Sequence, residues 1–530
     1  MTLVERRMAA AREAARDVFG IESLRPEQER AIAALFENRD VLFLAPTGYG
    51  KSLVYQLPAL VFPGLTLVVS PLIALMKDQV DKLSAVGVPA VRLTSDLGPR
   101  EQANALQSIR HNEVRIIYLS PEKAVTKEFQ STMAGRRVDL LAADEVHCIS
   151  TWGLDFRPSF SRIGDISALF LGVRKLALTA TATAETELDI RRVVGLKDPV
   201  RIFVDPTRPN LSYHYSSEAR VDQMATILRK AVDQGSAVVY VATRRKAEEI
   251  GDDLRVLGFA ARSYHAGMSP DMRLRVQEAF MRDEARVIVA TCAFGLGVDK
   301  SSIRCVFHWH QPESLFAFSQ ESGRGGRDGE PCACWLNLSK EGRRLRNFLL
   351  LCSNPQWYVY SRLWDRITHA RNKTFSMNGL IGAAGIKADG PFTGQVRSAL
   401  AFMEFHGDIV SKAGPLIYRL PILNPRKLRE LTRGMSGKVD GAAYVIQADP
   451  GDDRLVRILI DQGAVADRKP DEHLVIRPQG KRMRLTEADV TRKRNRAERS
   501  MDEVERFAQS RDKAAYLRKY FARAEEKEVC

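Results

Sequence analysis

The 530-residue sequence predicts an α/β protein, with two tandem parallel-sheet domains followed by an α+β and helical C-terminal region. Three observations carry that prediction. Short apolar runs bounded by polar residues, Gly or Pro alternate with helical stretches through roughly the first 340 residues, as buried parallel strands do. The alternation pauses at Asp205-Pro206-Thr207-Arg208-Pro209-Asn210 and then restarts. After Ser339 a different pattern takes over. A chain of this length exceeds one hydrophobic core, and the breaks suggest units at 1–205, 206–340 and 341–530.

In the first unit the runs Val41 to Leu44, Leu65 to Val69, Arg115 to Leu119 and Leu140 to Ala143 read as central strands. In the second, Ala237 to Val241 and Arg286 to Ala290 do the same. The last unit holds two helix-then-hairpin stretches, Phe375 to Leu420 and Val439 to Leu485, with Gly and Pro at their turns. A helical hairpin over about 487–524 closes the chain. Its Met501, Val504, Phe507, Ala508, Leu517, Tyr520 and Phe521 recur at helical spacing.

The net charge of +15 favours a polyanionic partner. From Glu341 onward 36 Lys/Arg face 24 Asp/Glu, so the last third carries most of the excess. Lys481, Arg482, Arg484 and the run Arg492-Lys493-Arg494-Asn495-Arg496 are its densest part, either a DNA-binding stripe or a solvated helical face. The seven cysteines are scattered without an extracellular framework. No stretch approaches the roughly 20 apolar residues of a membrane span, and Met1 to Val18 has no apolar signal core. The expectation is a monomeric cytoplasmic protein, nucleoid-associated if DNA is the partner.

The segment Ala45-Pro46-Thr47-Gly48-Tyr49-Gly50-Lys51-Ser52 follows the strand at Val41 and leads into a helix, the setting a phosphate-binding loop needs. Thr47, Gly48 and Gly50 let backbone N–H groups close around a β-phosphate. Lys51 neutralises the β and γ oxygens, and Ser52 offers a hydroxyl to Mg²⁺. Ala45 stands where the strictest pattern has Gly. Asp144-Glu145-Val146-His147 directly follows the strand at Leu140. From a strand's carboxyl end Asp144 can reach the Mg²⁺ shell while Glu145 polarises the attacking water. The two motifs together point to nucleotide hydrolysis.

Further motifs resemble the RecQ family of superfamily 2 ATP-dependent DNA helicases, which implies two RecA-like domains. Leu24-Arg25-Pro26-Glu27-Gln28 resembles the family's adenine-reading motif, which implies ATP as cofactor, held by Arg25 and Gln28. The stretch Cys148 to Pro158 resembles its aromatic-rich loop, where Trp152 and Phe156 would stack on bases and Arg157 would meet phosphate. Thr179-Ala180-Thr181-Ala182-Thr183 is similar to the motif that couples the domains; His147, Thr179, Thr181 and Gln320 would take part in DNA binding and coupling. Gly297 and Asp299 lie in a matching stretch, Ala290 to Lys300, and would contact the nucleotide. Gln320 to Gly329 matches the motif whose arginines, here Arg324 and Arg327, reach the γ-phosphate from the second domain. These motifs cover about residues 20 to 335 in family order. Val146 and Leu154 depart from the family's usual Ala and His, and the second change puts DNA-to-ATP signalling in doubt.

Beyond the motor the resemblance thins. Residues 374–424 read either as a winged helix, with Phe392 to Phe405 as recognition helix and Leu416 to Leu423 as a wing strand, or as a generic small α+β domain. Arg518-Lys519-Tyr520-Phe521 resembles the helix that precedes the family's zinc cysteines, yet the sequence stops at Cys530. One thiol cannot build a four-ligand site, so the expectation is that no zinc is bound or that the sequence ends short of the cluster. The resemblance implies 3′→5′ translocation on single-stranded DNA and unwinding of branched or duplex DNA in repair, recombination or defence. The competing reading is an ATP-gated remodelling or annealing factor that unwinds weakly and serves a partner nuclease.

Overall fold

The computed structural model describes the chain except for residues 47, 72, 125, 150–162, 171, 181, 295–299, 388–391, 433–437, 441–442, 449–453, 463–464, 466–470 and 523–530. It divides into two compact units, one formed by Met1–Asn347 with Ala497–Cys530 and the other by Phe348–Arg496.

The first unit holds two parallel sheets. In the first sheet the strands are β1 (Val41–Leu44), β2 (Leu65–Val69), β3 (Ala90–Leu93), β4 (Ile116–Leu119), β5 (Val138–Ala143), β6 (Arg174–Thr179) and β7 (Val200–Phe203), in spatial order β3-β4-β2-β5-β6-β1-β7. Every residue of β1, β2 and β4 is buried because helices cover both faces. Val41 and Phe43 pack into one layer while Leu42 and Leu44 pack into the other. The Arg- and Ala-rich N-terminus forms the helix Leu3–Asp17, capped by Thr2 and Glu5, and buries Met8, Ala11 and Ala15 in the first of these layers.

The second sheet is β8 (Leu211–Ser216), β9 (Ser236–Tyr240), β10 (Ala261–Tyr264), β11 (Val287–Ala290), β12 (Ile303–His308) and β13 (Cys332–Asn337), ordered β10-β11-β9-β12-β13-β8. The pause at 205–210 lies between β7 and β8 and so separates the two sheets. One face of this sheet is completed from the far end of the sequence. Val504, Phe507, Ala508, Leu517 and Phe521, on the helices Glu487–Gln509 and Lys513–Ala522, join its core. The Phe507 ring lies 4.9 Å from that of Phe318. Burying such a side chain is worth roughly 1.5–3 kcal/mol. Polar contacts fix the register: Gln311 donates to the Met501 carbonyl at 3.0 Å, and Arg518 meets Asp205 at 2.6 Å. The expected accessory region 341–530 is therefore not one body. Its hairpin carries an apolar stripe that needs a core, and the second parallel sheet supplies it.

The second unit is built on an antiparallel sheet of β14 (Thr374–Ser376), β15 (Ile409–Pro421), β16 (Lys438–Asp440), β17 (Ala443–Ala448) and β18 (Asp471–Pro478), ordered β14-β18-β15-β17-β16. β18 lies between β14 and β15, so the sheet begun by residues 374–424 is closed by a strand from beyond them, and both helix-then-hairpin stretches share it. The expected recognition helix is present as Gly394–Phe405, with Val396, Ala399, Leu400, Phe402 and Met403 buried. The pairing of β15 with β18 shifts between Ala413 and Leu416, where Pro415 offers no N–H to the ladder.

The basic run also differs from the sequence reading. Lys493 is buried, 4.5 Å from the centre of the Phe402 ring, and donates to the Ser353 carbonyl at 3.3 Å. Its neighbour Arg492 pairs with Asp489 at 3.5 Å. Helical periodicity sends one residue of the run inward, so Lys493 belongs to the core and not to a DNA-facing stripe.

Candidate active site

Three adjacent strands, β5, β6 and β1, bring the chemistry together because a parallel sheet presents all its carboxyl ends on one edge. After β1 the chain turns through Gly48 and Gly50, both at φ +84°, and enters the helix Leu53–Val61. The turn leaves backbone N–H groups at a helix N-terminus, the arrangement that suits phosphate. A side chain at Gly50 would also strike the Gln28 amide, 2.6 Å from its Cβ position. Lys51 Nζ lies along the loop, bonded to the Ala45 carbonyl at 3.0 Å.

The upstream motif is tied to this loop. Gln28, buried, donates to the carbonyls of Tyr49 at 3.1 Å and Gly50 at 3.0 Å, and accepts from the Arg25 N–H. The Arg25 guanidinium sits 4.4 Å over the Tyr49 ring, and the Tyr49 hydroxyl bonds Glu27. Burial first, and then Glu27, push the Tyr49 phenol up to about 12. Arg25 and Gln28 are thus placed against the phosphate loop. Tyr49 escaped the sequence reading, although an aromatic residue between two loop glycines was a visible signal.

At the end of β5 the backbone takes an unusual step. Glu145 adopts φ +50°, the left-handed region, which costs a non-glycine residue about 1–3 kcal/mol. Asp144 Oδ1 steadies the step by accepting the Glu145 N–H at 2.9 Å. The chain then turns into a short 3-10 helix, Val146–Ile149, and brings His147 Nδ1 to 3.2 Å from the Glu145 carboxylate. The same nitrogen lies 3.2 Å from Thr179 Oγ1, at the end of β6.

Charges at this edge are balanced within the cluster. Burial opposes ionisation of Glu145, but His147 and Lys51 outweigh it and hold the carboxyl below its ordinary range, with Arg324 adding to them. Burial also disfavours a charged His147, yet Cys148 and Glu145 raise the ring above its usual value. Burial and the Glu145 charge push Asp144 the other way, upward. Fully buried Tyr55 lies beside both Ser52 and Asp144. A buried carboxylate next to a hydroxyl fits a hard divalent cation such as Mg²⁺.

The second sheet supplies the remaining residues. Gln320 lies on the helix Leu315–Ser322; Arg324 is buried and Arg327 half-buried in the loop that follows. That loop is gathered from the stretch between the sheets. Arg208 donates to the carbonyls of Gly323, Gly325 and Gly326, and Asn210 donates to those of Gly326 and Glu330. Gly326 is required here, since a Cβ would meet the Asn210 amide at 2.5 Å and the Glu330 carbonyl at 2.6 Å. Nothing in the spacing of the sequence marks Arg208 or Asn210. Thr47, Trp152, Phe156, Arg157, Thr181, Gly297 and Asp299 lie outside the described residues.

The family described as DEAD/DEAH box helicase matches residues 25–190, and that described as helicase conserved C-terminal domain matches residues 219–329. The ATP-dependent DNA helicase RecQ of Haemophilus influenzae is 42% identical over 321 residues, 61% of this chain and 52% of the relative. Over about three fifths of its length the chain is similar to RecQ helicases. Two further RecQ-family relatives are the RecQ of Bacillus subtilis, 38% identical over 63% of this chain and 56% of its own length, and the ATP-dependent DNA helicase Q5 of Rattus norvegicus, 40% identical over 63% and 36%. The chain thus spans about half the length of the curated bacterial RecQ proteins it matches. In fold, the chain resembles the DUF1998 helicase MrfA bound to DNA and AMPPNP (TM-score 0.53, 16% identity, 85% of this chain and 62% of that one). It also resembles the Mycobacterium smegmatis helicase Lhr bound to ssDNA and AMP-PNP (TM-score 0.50, 18% identity, 88% and 62%). Among the described residues no helix is long and apolar enough to cross a membrane, and no group of three or more His, Cys, Asp or Glu could hold a metal.

Proposed function

We propose that this chain is an ATP-dependent DNA helicase that translocates 3′→5′ on single-stranded DNA and separates duplex or branched DNA. The observation that carries the reading is the charge-balanced cluster of Lys51, Asp144, Glu145 and His147 at one sheet edge, with Arg324 of the second domain within its field. Lys51 meets the β and γ oxygens, and Ser52 with Asp144 would hold Mg²⁺, which when bound neutralises charge on those oxygens. Glu145, kept ionised by His147 and Lys51, accepts a proton from the attacking water. Arg324 and Arg327 offset charge that develops on the transferred phosphoryl group. Trp152, Phe156 and Arg157 sense the strand, and the cycle serves repair, recombination or defence as a cytoplasmic, nucleoid-associated monomer.

ATPase and unwinding rates on forked, 3′-tailed and 5′-tailed DNA, with single-stranded RNA as control, test this directly. The expected result is DNA-stimulated turnover with strand separation from the 3′ tail. ATP-dependent binding or annealing without strand separation would favour a remodelling factor instead.

A further inference from the structure

His147 is a junction. Its Nδ1 faces the Glu145 carboxylate and Thr179 Oγ1, both at 3.2 Å, and both belong to the first domain. Its ring is also met from the second domain, where the Phe316 ring lies 4.7 Å away at an interplanar angle of 48°. The geometry is that of a tilted aromatic contact, which favours one orientation of the imidazole.

Phe316 is well placed to report the position of its own domain. It sits in the first turn of the helix Leu315–Ser322, whose N-terminus is fixed by Ser314 accepting from the Ala317 N–H at 3.1 Å. Leu315 and Phe318 on either side are fully buried in the core of the second sheet. One turn further on, the same face carries Gln320, and the helix leads into Arg324. Phe316 therefore cannot shift without the second domain, and the second domain cannot move off the first without withdrawing the ring from His147.

We infer that Phe316 is a positioning residue that ties the seating of the second domain to water activation. It holds the His147 ring in the orientation that pairs with Glu145, so the carboxylate is set for the attacking water only while the two domains are together. The inference rests on the ATPase reading above. It adds a residue to the interdomain coupling that the family motifs do not include.

The test compares Phe316→Ala, Phe316→Tyr, His147→Ala and the Phe316→Ala/His147→Ala double variant in the full chain, with kcat and KM for ATP measured at saturating single-stranded DNA. Phe316→Ala is expected to lower kcat about 10- to 100-fold with KM within about two-fold, because orientation and not nucleotide affinity is lost. Phe316→Tyr, which keeps the ring, should recover most of the rate. The double variant should be no slower than the slower single one, since both remove the same contact. Should Phe316→Ala fail to fold, Phe316→Leu carries the same expectation with the bulk retained. A wild-type kcat in Phe316→Ala, losses that multiply in the double variant, or no recovery with Tyr would each overturn the inference. Those results would come from an ATPase still dependent on Lys51. Turnover indifferent to Lys51, or none in the wild type, would instead overturn the ATPase reading and this inference with it.

Discussion

Glu145 in the first unit and Lys493 in the second are both ionisable side chains withdrawn from water, and their surroundings differ in kind. Glu145 is met by His147, Lys51 and Arg324, so its charge is favoured in spite of burial. Lys493 has a backbone carbonyl and an aromatic face, and burial pulls its amine down to about 8. The first is a carboxylate whose charge its neighbours favour; the second is a cation tolerated by a core. Buried charge thus marks chemistry only where compensating charges converge on it. The variants below press on that contrast.

The largest effect belongs to Lys51→Ala. Loss of its ammonium is expected to reduce ATP turnover at least ten-fold, and to the detection limit in a standard phosphate-release assay. Single-stranded DNA binding, measured by fluorescence anisotropy, should hold because strand contacts are spread over other residues. Retention of more than a tenth of the turnover would remove the phosphate-loop assignment and with it the catalytic half of the contrast.

Next comes Arg324→Ala. A finger that offsets transition-state charge is worth about 10³-fold or more in rate, and the loss should fall on kcat with little change in KM. Since Arg324 also favours ionised Glu145, the variant should in addition shift the acid limb of the kcat profile to higher pH. A drop in KM-linked affinity alone would make Arg324 a binding residue.

Lys493→Met addresses the other side of the comparison. A lysine whose folded pKa lies below its unfolded value destabilises the fold at neutral pH, and stability should rise between about pH 8 and 10.5 as the amine deprotonates. Urea midpoints of the full chain, followed through the second unit's transition, should show that rise in the wild type and none in Lys493→Met. At pH 7 the variant should be more stable by up to about 3 kcal/mol. A flat wild-type profile would mean that the amine stays solvated and the contrast with Glu145 is empty.

The smallest effect concerns what remains of the basic run. With Lys493 committed to the core, the other cations of the run are Arg492, Arg494 and Arg496. Neutralising all three should shrink the slope of log affinity against log salt by at most roughly two to three units while basal ATPase holds. A loss matching four cations, or a further loss on adding Lys493→Met, would return Lys493 to the surface.

Most of the motor was legible because its signals are local. A buried apolar strand followed by Gly48-Tyr49-Gly50-Lys51-Ser52 specifies a turn and a helix N-terminus within a dozen or so residues. Asp144 and Glu145 were placed by the same strand-end logic. The strands from Val41, Leu65 and Ala237 were read within a residue of where they lie, since both their faces are buried and their apolar runs are unbroken. The accessory unit gave weaker signals. An antiparallel sheet alternates, its partners are distant in sequence, and the insertion of β18 between β14 and β15 leaves no mark on either segment. Tyr49 could have been found by its position between glycines; Arg208, Asn210 and Phe316 could not.

By itself, then, the sequence determined the repeated strand–helix order of the two parallel-sheet domains, the glycine turn after β1 and the acidic pair at the end of β5, and the apolar stripe of the terminal hairpin. Each is a pattern completed within one or two elements, where backbone geometry and burial act over a few residues. Only the tertiary structure decided that the hairpin completes the second motor sheet, that Arg208 gathers the loop of Arg324, that Phe316 meets His147, and that Lys493 turns inward onto Phe402. Those are contacts between side chains far apart in the chain. Their partners are chosen by which surfaces the packed sheets bring within reach, a quantity no local pattern encodes.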